Sequence, residues 1–73
     1  MKVKVRLDTL ADINGFVSAV NRLGIPDVYL TDGNDFTVSA KSILGAMCTI
    51  EWNEVYCTCS KDIYYHIQQY VEV

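Results

Sequence analysis

The chain has no apolar run approaching the ~20 residues needed to span a bilayer, and no segment of low complexity, internal repeat or linker. It carries one proline, one histidine and three cysteines. An odd cysteine count argues against a disulfide framework. Cys57-Thr58-Cys59 is a C-x-C pair, whose side chains share one face of a strand, and His66 stands on a different element. Buried small apolar groups, rather than a metal or redox site, are therefore the expected role of the cysteines. No cofactor is expected. Excess positive charge is also lacking. Six Lys and Arg against nine Asp and Glu leave a net charge of −3, which gives no electrostatic footprint for nucleic acid. Residues 1–6 alternate instead of forming an apolar signal-peptide core. A cytoplasmic protein, neither nucleic-acid-binding nor membrane-bound, is the expectation.

What is present suits one small domain, residues 1–73. At 51% apolar and 21% charged, the composition is that of a folded globule. A chain this short buries only about 60% of its unfolded surface, so its core is thin. Residues 2–7 alternate polar and apolar, predicting a strand with Val3, Val5 and Leu7 inward. A helix is predicted from about Asp12 to Leu23, with Ile13, Phe16, Val17, Val20 and Leu23 in one stripe. Gly24 and Pro26 end it. Val28-Tyr29-Leu30 and Phe36–Ala40 flank the turn signal Asp32-Gly33-Asn34-Asp35, predicting a hairpin in which glycine and asparagine take positive φ. A short helix over about 42–48 follows, then a loop at Glu51-Trp52-Asn53. A fourth strand over 54–59 points Val55, Cys57 and Cys59 to one face. In the last helix, capped by Ser60, Ile63, Ile67, Tyr70 and Val71 form the apolar stripe, with Tyr65, Gln68 and Gln69 outside. The order is βαββαβα. One-sided strands and amphipathic helices together require an α+β fold, a four-stranded, mostly antiparallel sheet with three helices on one face.

The stretch Lys41-Ser42-Ile43-Leu44-Gly45-Ala46-Met47 carries the most information. Ser42 suits an N-cap, its hydroxyl accepting from a first-turn N–H, and the partial positive charge there favours an anion, such as a phosphate on that serine. Leu44 and Met47 share a face, and Gly45 allows another backbone to approach closely. A plain connecting helix with an ordinary cap fits the same residues.

K-S-I-L-G-A-M resembles the serine-helix signature of HPr, the small phosphocarrier of the bacterial sugar phosphotransferase system, and the element order is similar along the whole chain. The resemblance implies an open-faced sandwich with strand order 1-4-2-3. It also implies that Ser42 matches the serine phosphorylated by HPr kinase in some members. Ile43, Leu44 and Met47, beside Lys41, would match the apolar patch that meets partners. The family's first helix opens with a G-x-H-x-R-P-type motif whose histidine carries the phosphoryl group. The matching stretch here, residues 9–15, has no histidine, arginine or proline, and Asp12 would place a negative charge where the family holds a phosphate. The resemblance is thus to non-catalytic, HPr-like regulatory proteins that lack the histidine, keep the serine and bind a transcriptional regulator. Expected partners are a phosphotransferase-system component, an HPr kinase or such a regulator, met through the Ser42 helix and the adjoining start of the first helix, where Asp12 would share in the contact. His66, mid-helix at the edge of the apolar stripe, reads as an ordinary polar side chain. Two other readings stay open: a phosphocarrier using an unusual acceptor, and a small structural or homo-oligomeric domain. Tyr64, Tyr65, Tyr70 and Trp52 could form an exposed aromatic patch or share partly in the core.

Overall fold

Alternation along the first strand finds its partners in a computed structural model that describes residues 1–72. The strands are β1 (Lys2–Val5), β2 (Tyr29–Thr31), β3 (Thr37–Ser39) and β4 (Val55–Thr58), and all pairs are antiparallel in the order β1-β4-β2-β3. The register sets Val3, Cys57, Leu30 and Val38 side by side in one row. Lys4, Tyr56, Thr31 and Thr37 form the next. Because side chains alternate across a strand, the first row faces the helices and the second faces outward. The α+β class and the 1-4-2-3 order agree with expectation.

Helix α1 (Leu10–Leu23) begins two residues earlier than its apolar stripe suggested, because Thr9 caps it. The Thr9 hydroxyl accepts from the Asp12 N–H at 3.1 Å, and the Asp12 carboxylate accepts from the Thr9 and Asp8 N–H groups at 3.3 and 3.0 Å. This is a capping box, closing free donors of the first turn reciprocally. Gly24 ends the helix at φ 69°, its N–H donating to the Asn21 carbonyl, a conformation that only glycine adopts without cost. Ile13, Phe16, Val17 and Val20 are buried. They lie over the sheet with Val5, Leu7, Val28, Leu30, Val55, Cys57, Cys59, Ile63 and Ile67.

In the β2–β3 turn, Gly33 alone takes positive φ, at 83°. Asn34 does not, because the Asp32 carboxylate makes the turn by accepting from the Asn34 and Phe36 N–H groups at 2.8 and 3.1 Å. Those donors hold the Asp32 carboxyl below the usual carboxylate range.

Helix α2 (Ile43–Met47) continues as a 3₁₀ turn, Cys48–Glu51, which runs past the expected helix end near 48 and takes in Glu51, the first residue of the expected loop. Helix α3 (Tyr64–Ile67) is a single turn followed by a 3₁₀ turn, Gln68–Tyr70. It is shorter than the apolar stripe implied, and Ser60 does not cap it. The Ser60 N–H instead donates to the Asp27 carboxylate at 3.2 Å, and Asp62 accepts from the Tyr64 N–H at 3.0 Å. The helix stops because the chain beyond it is claimed by β1. The Arg6 N–H donates to the Tyr70 carbonyl at 2.8 Å, the Glu72 N–H donates to Lys4 at 2.9 Å, and Val5 bridges to Val71. Lys4 and Glu72 add an ion pair at 3.3 Å. The stripe itself holds: Ile63 and Ile67 are buried, and Tyr70 meets Phe16 edge-on at 5.5 Å. No helix among the described residues is long and apolar enough to cross a membrane.

Removing the α1 cap isolates one term of this stability. Thr9→Ala should lower the unfolding free energy by about 1 kcal/mol while Thr9→Ser restores most of it, measured by urea denaturation followed by circular dichroism.

Candidate functional site

Helix α2 is fixed to the body of the protein by small groups. Ala46 is fully buried, and the buried Thr49 hydroxyl donates to the Ala46 carbonyl at 2.7 Å. A Cβ on Gly45 would lie 3.2 Å from the Ser39 carbonyl oxygen, so the close backbone approach expected of this glycine is real. At its start the Ser42 hydroxyl accepts from the Gly45 N–H at 3.1 Å, and the Ala46 N–H donates to the Ser42 carbonyl at 2.8 Å. Ser42 is an exposed N-cap. The half-buried Lys41 offers its carbonyl to the Asn21 amide at 3.1 Å, tying the entry of α2 to the C-terminal half of α1.

Because the contact is made by glycine, alanine and threonine, the larger apolar side chains are turned away from it. Leu44 is 78% exposed, and Ile43, Met47 and Ile50 are also open to solvent. Leu10, in the first turn of α1, is exposed too. The 3₁₀ turn carrying Ile50 reaches the approach to α1, where Thr49 and Ile50 line a polar cleft together with Leu7 and Asp8. Ile43, Leu44 and Met47 lie within one short helix, and Ile50 follows in the 3₁₀ turn. Ile50 lies outside the Lys41–Met47 stretch, and its spacing of three from Met47 is the one sequence signal for it.

The start of α1 has the opposite character. A shallow cleft of about 510 Å³ there is lined by Arg6, Asp8, Asp12, Tyr70 and Glu72, among others. Arg6 donates to Asp8 at 2.7 Å, which raises the guanidinium pKa further and occupies its charge. The Asp12 carboxylate already takes the Thr9 and Asp8 N–H groups. An incoming phosphoryl group would therefore meet three carboxylates, a paired cation and a filled cap, an arrangement that repels it. His66 is exposed on α3, edge-on to Tyr65 at 5.8 Å, in a surface depression shared with Gln68 and Gln69 and no cationic side chain.

Cys57 and Cys59 are buried and Cys48 is exposed; all three are free thiols. The first two are small core groups, as expected, whereas Cys48 is not, because it follows α2 on its solvent side with Sγ toward the Leu44 carbonyl at 3.5 Å. Burial, and then the neighbouring Cys59, push the Cys57 thiol up to about 12. No trio of His, Cys, Asp or Glu among the described residues is grouped to hold a metal. The aromatic residues do not form the single patch considered from sequence. Tyr70 packs into the core, Tyr65 stays exposed, and Trp52 stacks on Phe36 with ring centroids 6.2 Å apart. Phe36, directly after a polar turn, gave no periodic signal of that pairing.

Comparison of the chain with protein-family models, curated proteins and solved structures returns no match.

The thiols give a direct check. Cys48 should react promptly with a disulfide reagent in the folded protein, and Cys57 and Cys59 only after unfolding. Since the unfolded Cys57 thiol ionises near 9.0 and the folded one near 12, the unfolded chain loses a proton first. The contribution of Cys57 to stability should therefore be constant below about pH 9 and fall as pH rises from there toward 12. Denaturant midpoints against pH should fall less steeply above about pH 9 in Cys57→Val, the remaining slope belonging to groups such as Tyr56 and Lys4.

Proposed function

We propose that this chain is a non-catalytic, HPr-like regulatory module that binds a protein partner through α2 and is gated by phosphorylation of Ser42. One observation carries the reading. On a β1-β4-β2-β3 sheet, α2 is seated by Gly45, Ala46 and Thr49 while Ile43, Leu44 and Met47 face solvent. A domain short of core material gains nothing in stability from leaving those side chains wet. A docking surface accounts for them.

The chemistry of gating is local. Ser42 is exposed at the end of α2 that carries partial positive charge, so a phosphate there adds roughly −1.5 to −2 of charge beside Lys41 and gives a basic partner something to hold. The crowding of carboxylates at the start of α1 argues against phosphoryl transfer at that end. The partner would be a component of the phosphotransferase system, its kinase or a transcriptional regulator, and the module would act by contact alone.

Incubation with an HPr kinase and ATP should add one phosphoryl mass, absent in Ser42→Ala. No mass shift on the folded protein would remove the gating. Leu44→Ala should leave stability within about 0.5 kcal/mol, as exposed substitutions do, while weakening capture of the partner.

A further inference from the structure

A second surface begins where the 3₁₀ turn after α2 ends. The chain passes from Ile50 through Glu51 to Trp52, and the half-buried Trp52 ring stacks on Phe36 with an interplanar angle of 21°. Phe36 is 60% exposed, yet its backbone is held firmly. Its N–H donates to Asp32, and its carbonyl accepts from the Thr31 hydroxyl at 2.7 Å and from the Asp32 N–H at 3.2 Å. Both residues line a shallow cleft of about 450 Å³ together with Asp32, Asn34, Glu51, Asn53 and Glu54. Three carboxylates line it and no cationic side chain does. The Asn34 and Phe36 N–H groups keep Asp32 ionised. Lys4, which feels the charge of Glu54, is already held by Glu72.

An aromatic pair of one exposed and one half-buried ring, in a cleft with three acids, has a definite complement. Ring faces attract a cation, and carboxylates set around a planar group favour the fork of a guanidinium over a compact ammonium. The same negative rim repels phosphate, so neither a nucleic-acid backbone nor an anionic membrane suits it. We infer that the Phe36–Trp52 cleft receives an arginine side chain of a protein partner, the one whose apolar residues cover Ile43, Leu44, Met47 and Ile50. This rests on the reading of α2 as a docking surface and specifies the partner as a basic, amphipathic segment.

Trp52 is the only tryptophan, so its emission reports this cleft. The full chain is titrated with three short acetylated peptides: one alternating leucine with arginine, one with citrulline replacing arginine, and one rich in leucine without charge. Trp52 emission and amide resonances of Phe36 and Glu51 are followed, with Leu44 and Met47 methyl resonances as the second reporter. The arginine peptide should shift both sets and bind roughly tenfold tighter than its citrulline counterpart. Phe36→Ala and Glu51→Gln, both at exposed positions, should each remove roughly three- to tenfold of that preference, with the fold checked by amide spectra. Equal binding of the arginine and citrulline peptides, or arginine-peptide shifts confined to Leu44 and Met47, would overturn the arginine assignment and leave α2 as a docking surface. Failure of every peptide to move Leu44 or Met47 would count against the α2 reading itself. A Trp52 response to arginine that persisted in that case would still support the cleft.

Discussion

The fold depends on one register. Val3, Cys57, Leu30 and Val38 lie abreast across the sheet, and the Ile13, Phe16, Val17 and Val20 stripe of α1 lies over them. A slip of one residue in any pairing would turn that strand's apolar side chains to water and its Lys, Tyr or Thr to the core. Burial of such side chains is worth about 1.5–3 kcal/mol each, and a domain this short has few of them. The register is therefore specified from both sides: by alternation within the strands and by the width of the stripe above them.

The way α2 joins this core explains the candidate site. Larger side chains at Gly45 and Ala46 would have pushed the helix off the sheet edge near Ser39 and Val38. Small ones bring it close and leave its bulky residues on the outside. The same economy places acids at the start of α1. There Asp12 completes the cap that Thr9 begins, so the position cannot also serve an anion. The two helix starts thus have different chemistry: the first is filled by a carboxylate from within the helix, the second is capped by an exposed serine hydroxyl.

Most of the architecture could be read from residue patterns. Alternation in residues 2–7, the α1 stripe and the Gly24 stop are local signals, and all three correspond to elements of the structure. Ser42 as an N-cap and Gly45 as a close-approach glycine were legible for the same reason. The 1-4-2-3 order could not be read from periodicity, which does not specify strand neighbours. What could not be read was decided by distant pairing. Helix α3 is cut short by hydrogen bonds to Lys4 and Arg6, more than sixty positions away in the chain. Ser60 is diverted to Asp27. The Phe36–Trp52 stack joins a turn to a 3₁₀ end, and neither position has a repeating neighbour to announce it.

The return of Tyr70–Glu72 alongside β1 has a further consequence. An outermost strand with free N–H and C=O groups is a template on which another chain can grow. Here Tyr70–Glu72 occupy the Lys4–Arg6 part of that flank, with Lys4 and Glu72 paired across it. The opposite flank, β3, is three residues long and bears Thr37 and Ser39 outward, too short and too polar to seed cross-β stacking. Strand addition at the Lys4–Arg6 stretch would first have to displace Tyr70–Glu72, so the apolar side chains that α2 exposes are not matched by an open sheet edge there.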